Sequence, residues 1–136
     1  MYPQELVMPM KAELTDNGFK DLTTPELVNE ALKASGTTLL MVNSVCGCAA
    51  GAARPGVLYS LNGDKKPDNL VTVFAGFDLE AVVEARRRLA PFPPSSPCVA
   101  LFKDGELVHM IERHHIEGNP AEAIAANLQA AYEEYC

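Results

Sequence analysis

With 136 residues, 48% of them hydrophobic, and four cysteines, the chain is long enough to bury a core without disulfide or metal staples, and its composition excludes a fibre or a disordered tail. Eighteen acidic against 11 basic residues give a formal charge of −7, which opposes non-specific binding to phosphate backbones or anionic membranes. Met1-Tyr2-Pro3-Gln4-Glu5 lacks the basic segment and apolar run of a secretory leader, and no apolar stretch reaches membrane-spanning length, so a cytoplasmic location is expected, with no nucleic-acid or membrane partner.

Leu6, Met10 and Leu14 recur at helical spacing, but Pro9 interrupts them, which predicts a short or kinked helix at the start. Asp16-Asn17-Gly18 is a stop or turn signal. Thr24-Pro25-Glu26 then supplies an N-cap followed by proline at the first helical position, so a helix is expected from Pro25 to about Ser35, ended by Gly36. Thr37 to Val45 is apolar and β-branched with no polar alternation before Asn43, the pattern of a central strand covered on both faces. It runs directly into Cys46-Gly47-Cys48-Ala49-Ala50-Gly51-Ala52-Ala53-Arg54, an alanine-rich helix that Pro55 and Gly56 would kink without ending.

After the turn residues Asn62-Gly63-Asp64 and Lys65-Lys66-Pro67-Asp68, Leu70 to Phe74 reads as a second buried strand. Asp78 caps a helix to about Leu89, and Arg86, Arg87 and Arg88 read as a solvated end opposing the helix dipole. Pro91, Pro93, Pro94 and Pro97 stiffen a loop, beyond which Val99–Phe102 and Leu107–Ile111 flank Lys103-Asp104-Gly105-Glu106 as a hairpin. A final helix from Pro120 to about Tyr135 places Ala123, Ile124, Leu128 and Ala131 near one face. The order helix, strand, helix, strand, helix, antiparallel hairpin, helix predicts an α/β mixed sheet with flanking helices. Residues 1–136 read as a single domain with an N-terminal helical extension over about residues 1–24.

In a reducing cytosol, closely spaced cysteines serve catalysis or metal binding more often than structure. Cys46 and Cys48, at a strand-to-helix junction, are therefore expected to form an exposed, redox-active dithiol. A cysteine at a helix N-terminus ionises more readily, its pKa falling from about 8.5 into the range of roughly 3.5 to 7.5. Cys46 is the expected attacking thiol and Cys48 the tethered resolving thiol, with Gly47 letting the backbone turn between them. Two other readings stay open at this level: both cysteines packing as small hydrophobes, or a soft-metal site drawn from Cys46, Cys48, Cys98, Cys136 and the three histidines. The absence of a second closely spaced ligand pair favours no bound metal, and His109, His114 and His115 read as surface or hairpin side chains.

Asn43-Ser44-Val45-Cys46-Gly47-Cys48-Ala49-Ala50-Gly51, continuing through Ala53-Arg54-Pro55, resembles the bacilliredoxin family of thioredoxin-like proteins. Pro67-Asp68-Asn69, Val71–Gly76, Ser95-Ser96-Pro97, Arg113-His114 and Ile116-Glu117-Gly118 also match family segments. The resemblance implies a thioredoxin-like fold and a thiol–disulfide oxidoreductase that removes bacillithiol from protein mixed disulfides. General disulfide isomerase or reductase activity is the alternative, and a metal-binding or redox-sensing module a further one. No bound cofactor is implied; bacillithiol is a co-substrate, and the partners are bacillithiol-modified or disulfide-containing proteins. Likeness to the wider fold implies a cis peptide at Ser96-Pro97 facing the dithiol, with the Ser96 backbone offered to substrate. It also sets Leu40 where thioredoxins carry a buried acid. Cys98 is expected to be a buried strand residue, and Cys136 an incidental thiol.

Overall fold

The computed structural model describes residues 1–136. In chain order its elements are α1 (Gln4–Thr15), β1 (Lys20–Asp21), α2 (Pro25–Leu32), β2 (Thr37–Asn43), a π-helical turn (Ala49–Ala53) leading into α3 (Arg54–Ser60), β3 (Asn69–Phe74), α4 (Leu79–Arg88), β4 (Cys98–Lys103), β5 (Glu106–Ile111), α5 (Arg113–Ile116) and α6 (Ala121–Tyr135). The five strands form one sheet in the order β1-β3-β2-β4-β5. The pairs β1/β3 and β3/β2 are parallel, whereas β2/β4 and β4/β5 are antiparallel. The architecture is thus the expected α/β mixed sheet, with β2 at its centre and every residue of that strand buried.

Because side chains alternate across a strand, β2 feeds two cores at once. Leu39 and Met41 join Leu14, Val57, Leu128 and Tyr132 on the face covered by α1, α3 and α6. Leu40 and Val42 join Val28, Leu32, Val82 and Ala85 on the face covered by α2 and α4. The strand stops at Asn43, two residues before the expected Val45, because the Asn43 side chain captures the Ser44 amide at 2.8 Å and turns the chain out of the ladder.

Pro9 lies inside α1 and does not end it. The helix face also differs from the expected one: Val7, Lys11 and Leu14 are buried, while Leu6 is 42% exposed. Lys11 explains the shift, since its ammonium reaches Asp21 at 2.9 Å and Asp78 at 2.8 Å, tying α1 to β1 and to the start of α4. A buried cation persists only when paired. Burial pulls its pKa down, but the bonds to Asp78 and Asp21 outweigh that and hold it above the ordinary lysine value. Asp78 accordingly spends its carboxylate on Lys11 and makes no side-chain cap to α4. Residues 1–24 include the edge strand β1 and are not purely helical.

Thr24 caps α2 through the Leu27 amide at 3.2 Å, with Pro25 at the first turn. The helix closes at Leu32, short of Ser35, and Gly36 follows at φ +79°. The Arg86–Arg88 end of α4 is not simply solvated: Arg88 donates to Asn29 of α2 at 3.1 Å, and Arg87 pairs with Glu84 at 3.2 Å. Asp104 and Gly105, at φ 50° and 84°, make the two-residue turn between β4 and β5, the positive-φ pattern whose twist matches paired strands. On α6, Ala123 is exposed, and the buried face is instead Ala121, Ile124, Ala125, Leu128, Ala131 and Tyr132.

The π-helical turn sits directly before Pro55, and the Arg54 amide closes onto Ala49 five residues back. A regular α-turn would drive the proline ring into the carbonyl four residues earlier, and a widened turn relieves that collision. Pro55 therefore reshapes the helix without ending it. Gly56 then allows α3 to approach α6 so closely that a Cβ there would meet Ile124 Cβ at 2.7 Å and the Ala121 carbonyl at 3.0 Å. Gly56→Ala is expected to destabilise the protein by about 1–3 kcal/mol through overpacking, read as a lower midpoint in thermal unfolding. Gly51→Ala, where a Cβ meets nothing within 4 Å, should be neutral or stabilising by up to about 1 kcal/mol; equal effects of the two substitutions would contradict the close α3–α6 approach.

Candidate active site

The site begins with the polar end of β2. Asn43, only 1% exposed, accepts at Oδ1 from the Ser44 amide at 2.8 Å and from Arg54 Nη1 at 3.0 Å, and donates from Nδ2 to the Met10 carbonyl at 3.2 Å. Arg54 is 2% exposed, donates also to the Ser44 carbonyl at 2.8 Å, and its Nε lies 3.1 Å from Glu13 Oε1. A buried guanidinium from α3 and a buried amide from β2 thus grip both backbone ends of Ser44. An arginine in an alanine-rich helix reads as a surface residue, so Arg54 carried no signal of this role in the sequence.

Ser44 passes that rigidity to the nucleophile, because its hydroxyl accepts the Cys46 amide at 3.3 Å. The Cys46 carbonyl in turn accepts from the Ala49 and Ala50 amides at 3.1 and 3.3 Å, and helical backbone begins at Gly47. Cys46 therefore stands at the helix N-terminus, as its position after an apolar strand implied. Cys46 and Cys48 are free thiols, half-buried and not fully exposed, with their sulfurs 2.6 Å apart. Gly47 takes helical backbone and is not among the positive-φ glycines. The turn does not require glycine; what Gly47 provides is open space, since a side chain there would meet nothing within 4 Å.

The two thiols diverge in acidity. Burial works against ionising Cys46, but the Cys48 thiol 2.6 Å from its sulfur, together with the neighbouring Ala49 amide, Ser44 hydroxyl and Cys48 amide, holds the pKa below the ordinary value. Burial, the hydrogen bond to Cys46 and the charge of Cys46 push Cys48 the other way, and Arg113 only partly offsets them. Cys46 is thus the first of the pair to lose its proton, and Cys48, 2.6 Å away, is placed to donate to the thiolate so formed. Only the thiolate is nucleophilic.

The loop before β4 comes to the same end of the sheet as the end of β2. Ser96–Pro97 is cis, and Pro97 is buried. Cys98 pairs with Val42 in the sheet, so the register sets Ser96 and Pro97 beside the Asn43 end of β2. The Ser96 carbonyl is already taken by Arg113 Nη1 at 3.2 Å, and Ser95 Oγ accepts the Arg113 amide at 2.7 Å. Arg113 also bonds Glu117. That bond, followed by the charges of Cys46 and Cys48, raises the pKa of Arg113, and the Arg113 charge in turn favours ionisation of Cys48. It lies on α5, a four-residue helix absent from the sequence reading.

Cys98 and Cys136 stand apart from the dithiol. Cys98 is 1% exposed, and burial pushes its thiol up to about 12, leaving it protonated and inert; Cys136 is exposed at the chain end. The soft-metal set of cysteines and histidines does not assemble. His109 bonds Asn127 at 2.7 Å on the β5 edge. Glu112, His114 and His115 do bring ligand atoms within 4.8 Å of one another, but His115 Nδ1 accepts the Glu112 amide at 3.1 Å and closes the cap of α5. Nor is any helix long and apolar enough to cross a membrane.

Residues 2–136 match the family described as disulphide isomerase. A bacilliredoxin of Cytophaga hutchinsonii is 59% identical over 134 residues, covering 98% of this chain and 99% of that protein. A bacilliredoxin of Halalkalibacterium halodurans is 56% identical over 136 residues, covering 99% of this chain and 94% of that one. Among solved structures, mitochondrial thioredoxin 3 of Saccharomyces cerevisiae in its oxidised form superposes with a TM-score of 0.58 at 14% identity, covering 90% of this chain and 98% of that one. Thioredoxin O2 of Arabidopsis thaliana superposes at 0.56 with 18% identity, covering 86% and 96%. With the thioredoxin fold and a near-full-length match to these relatives, the chain belongs to the bacilliredoxin family of thiol–disulfide oxidoreductases.

Proposed function

We propose that the protein removes bacillithiol from client proteins through Cys46, with Cys48 as the resolving thiol. The observation that carries the reading is the split between the two thiols, Cys46 held below and Cys48 above the ordinary cysteine pKa. The Cys46 thiolate attacks the bacillithiol sulfur of the mixed disulfide. That S–S bond breaks, the client cysteine leaves as thiolate and takes a proton from solvent, and a Cys46–bacillithiol disulfide forms. Resolution follows one of two routes. Cys48, deprotonated, attacks Cys46 Sγ and releases bacillithiol, leaving a Cys46–Cys48 disulfide; or a second bacillithiol thiolate attacks the adduct, giving oxidised bacillithiol and the reduced dithiol.

In this scheme bacillithiol is a co-substrate, not a resident cofactor, and the setting is a reducing cytoplasm where the dithiol can be regenerated. The cis Ser96–Pro97 segment and the open face at Gly47 are the surfaces against which a client strand would lie.

The assignment of acidity has a direct consequence. The Cys46 thiolate should form below the pH at which an ordinary cysteine ionises, and Cys48→Ala, by deleting the thiol that donates to Cys46, should move that midpoint upward. Ultraviolet thiolate absorbance against pH reads both, and a midpoint left in place by Cys48→Ala would remove Cys48 as the donor. The transfer itself is read by mass spectrometry of a bacillithiol-modified client mixed with each variant. Wild type should strip the client, Cys46→Ser should leave it modified, and Cys48→Ser should retain a bacillithiol adduct on Cys46 and turn over only with added bacillithiol. Equal stripping by wild type and Cys46→Ser rejects the nucleophile, whereas no stripping by reduced wild type turns the reading toward general disulfide isomerisation, the activity named in the family description.

A further inference from the structure

Around Arg113, whose charge acts on the dithiol, opens a polar cleft of about 270 Å³ walled also by Ser95, His114 and the carboxylates of Glu112 and Glu117. Neither the sequence motif nor the exchange chemistry accounts for it. Arg113 is the organising side chain: its amide is fixed to Ser95 Oγ at 2.7 Å, Nη1 to the Ser96 carbonyl at 3.2 Å, and Nε to Glu117. One guanidinium donor is thus spent on the cis-proline loop and one on Glu117, and the remaining N–H groups have no protein partner on a side chain still 46% exposed. A planar fork anchored in this way is suited to take a carboxylate.

The rest of the molecule makes this local cation matter. At a formal charge of −7 the surface repels anions, so an anionic ligand reaching the sulfurs needs a positive group at the point of arrival. We infer that Arg113, with His114 beside it, binds the carboxylate end of an anionic low-molecular-weight thiol, while Glu112 and Glu117 accept its ammonium group. Resting on the function proposed above, the inference identifies this cleft as the seat of the bacillithiol moiety, whose malyl carboxylates and cysteinyl amine supply both charges.

A seated small thiol also settles which sulfur is attacked. A mixed disulfide offers Cys46 two sulfurs, and the outcome differs: attack on the small thiol's sulfur frees the client, whereas attack on the client's sulfur frees the small thiol and leaves client bound to Cys46. Holding the carboxylate end on Arg113 fixes the small thiol at the dithiol side, so the client is the leaving group. Arg113 acts here as a specificity residue.

The test compares one client protein carrying either bacillithiol or uncharged 2-mercaptoethanol in the same mixed disulfide, with removal followed by mass spectrometry. The quantity is the ratio of kcat/KM for the two adducts. Arg113→Gln should lower that ratio roughly tenfold, about the loss of one charge-assisted hydrogen bond at a half-exposed site, mainly through KM. Arg113→Lys, which keeps the charge but not the fork, should fall between. A ratio unchanged in Arg113→Gln, including an equal loss on both adducts, overturns the inference while leaving dethiolation by Cys46 intact; failure of wild type to remove bacillithiol at all overturns both.

Discussion

The grip of Arg54 and Asn43 on Ser44 is the constraint on which the dithiol depends. A central strand buried on both faces must end somewhere, and its last polar groups must find partners inside the protein. Asn43 and Arg54 meet that need with four hydrogen bonds to the Ser44 amide, the Ser44 carbonyl, the Met10 carbonyl and each other. Because Ser44 also accepts the Cys46 amide, the sulfur is placed by a chain of short bonds that starts in the core. Deleting either partner would strand a buried charge or amide, costing about 3–5 kcal/mol for the charged one, so the site and the fold are held by the same contacts.

The same economy governs α1. Lys11 is buried against Asp21 and Asp78, Leu14 enters the α1/α3/α6 core, Glu13 approaches Arg54 at 3.1 Å, and the Met10 carbonyl receives Asn43. The first helix therefore braces the floor of the active site from four positions near its C-terminal end, and its continuation through Pro9 is understandable as the result of tertiary anchoring overriding a local breaker.

What could be read from the sequence follows from how local each signal is. The central strand, the hairpin turn at Asp104-Gly105, the Thr24 cap and the position of Cys46 at a helix start are written in adjacent residues and match the structure. Four features were not legible because each is decided by a residue far along the chain. Arg54 is buried by Glu13 and Asn43 and Lys11 by Asp21 and Asp78, while the half-buried Arg88 is held by Asn29 and the exposed Arg113 by Ser95 and Ser96. All are cations, which single-sequence patterning assigns to solvent by default. The two-residue β1 and four-residue α5 are too short to show a period at all.

The causes that hold Cys48 above its ordinary pKa also describe how it would be released. In the resting pair, burial opposes ionisation, and both the hydrogen bond to Cys46 and the Cys46 charge add to it, with Arg113 pulling the other way. Once Cys46 has become part of a mixed disulfide it bears no charge, so the charge repulsion disappears and the demand on the Cys48 proton weakens. Burial remains, but it now faces Arg113 with no competing thiolate between them. Cys48 thus becomes easier to ionise at the step that needs it as a nucleophile, and stays protonated at the step that needs it as a donor. A one-residue spacer serves this sequence well, because the sulfurs must be close enough for one to control the other's proton and then to trade places as the charged partner.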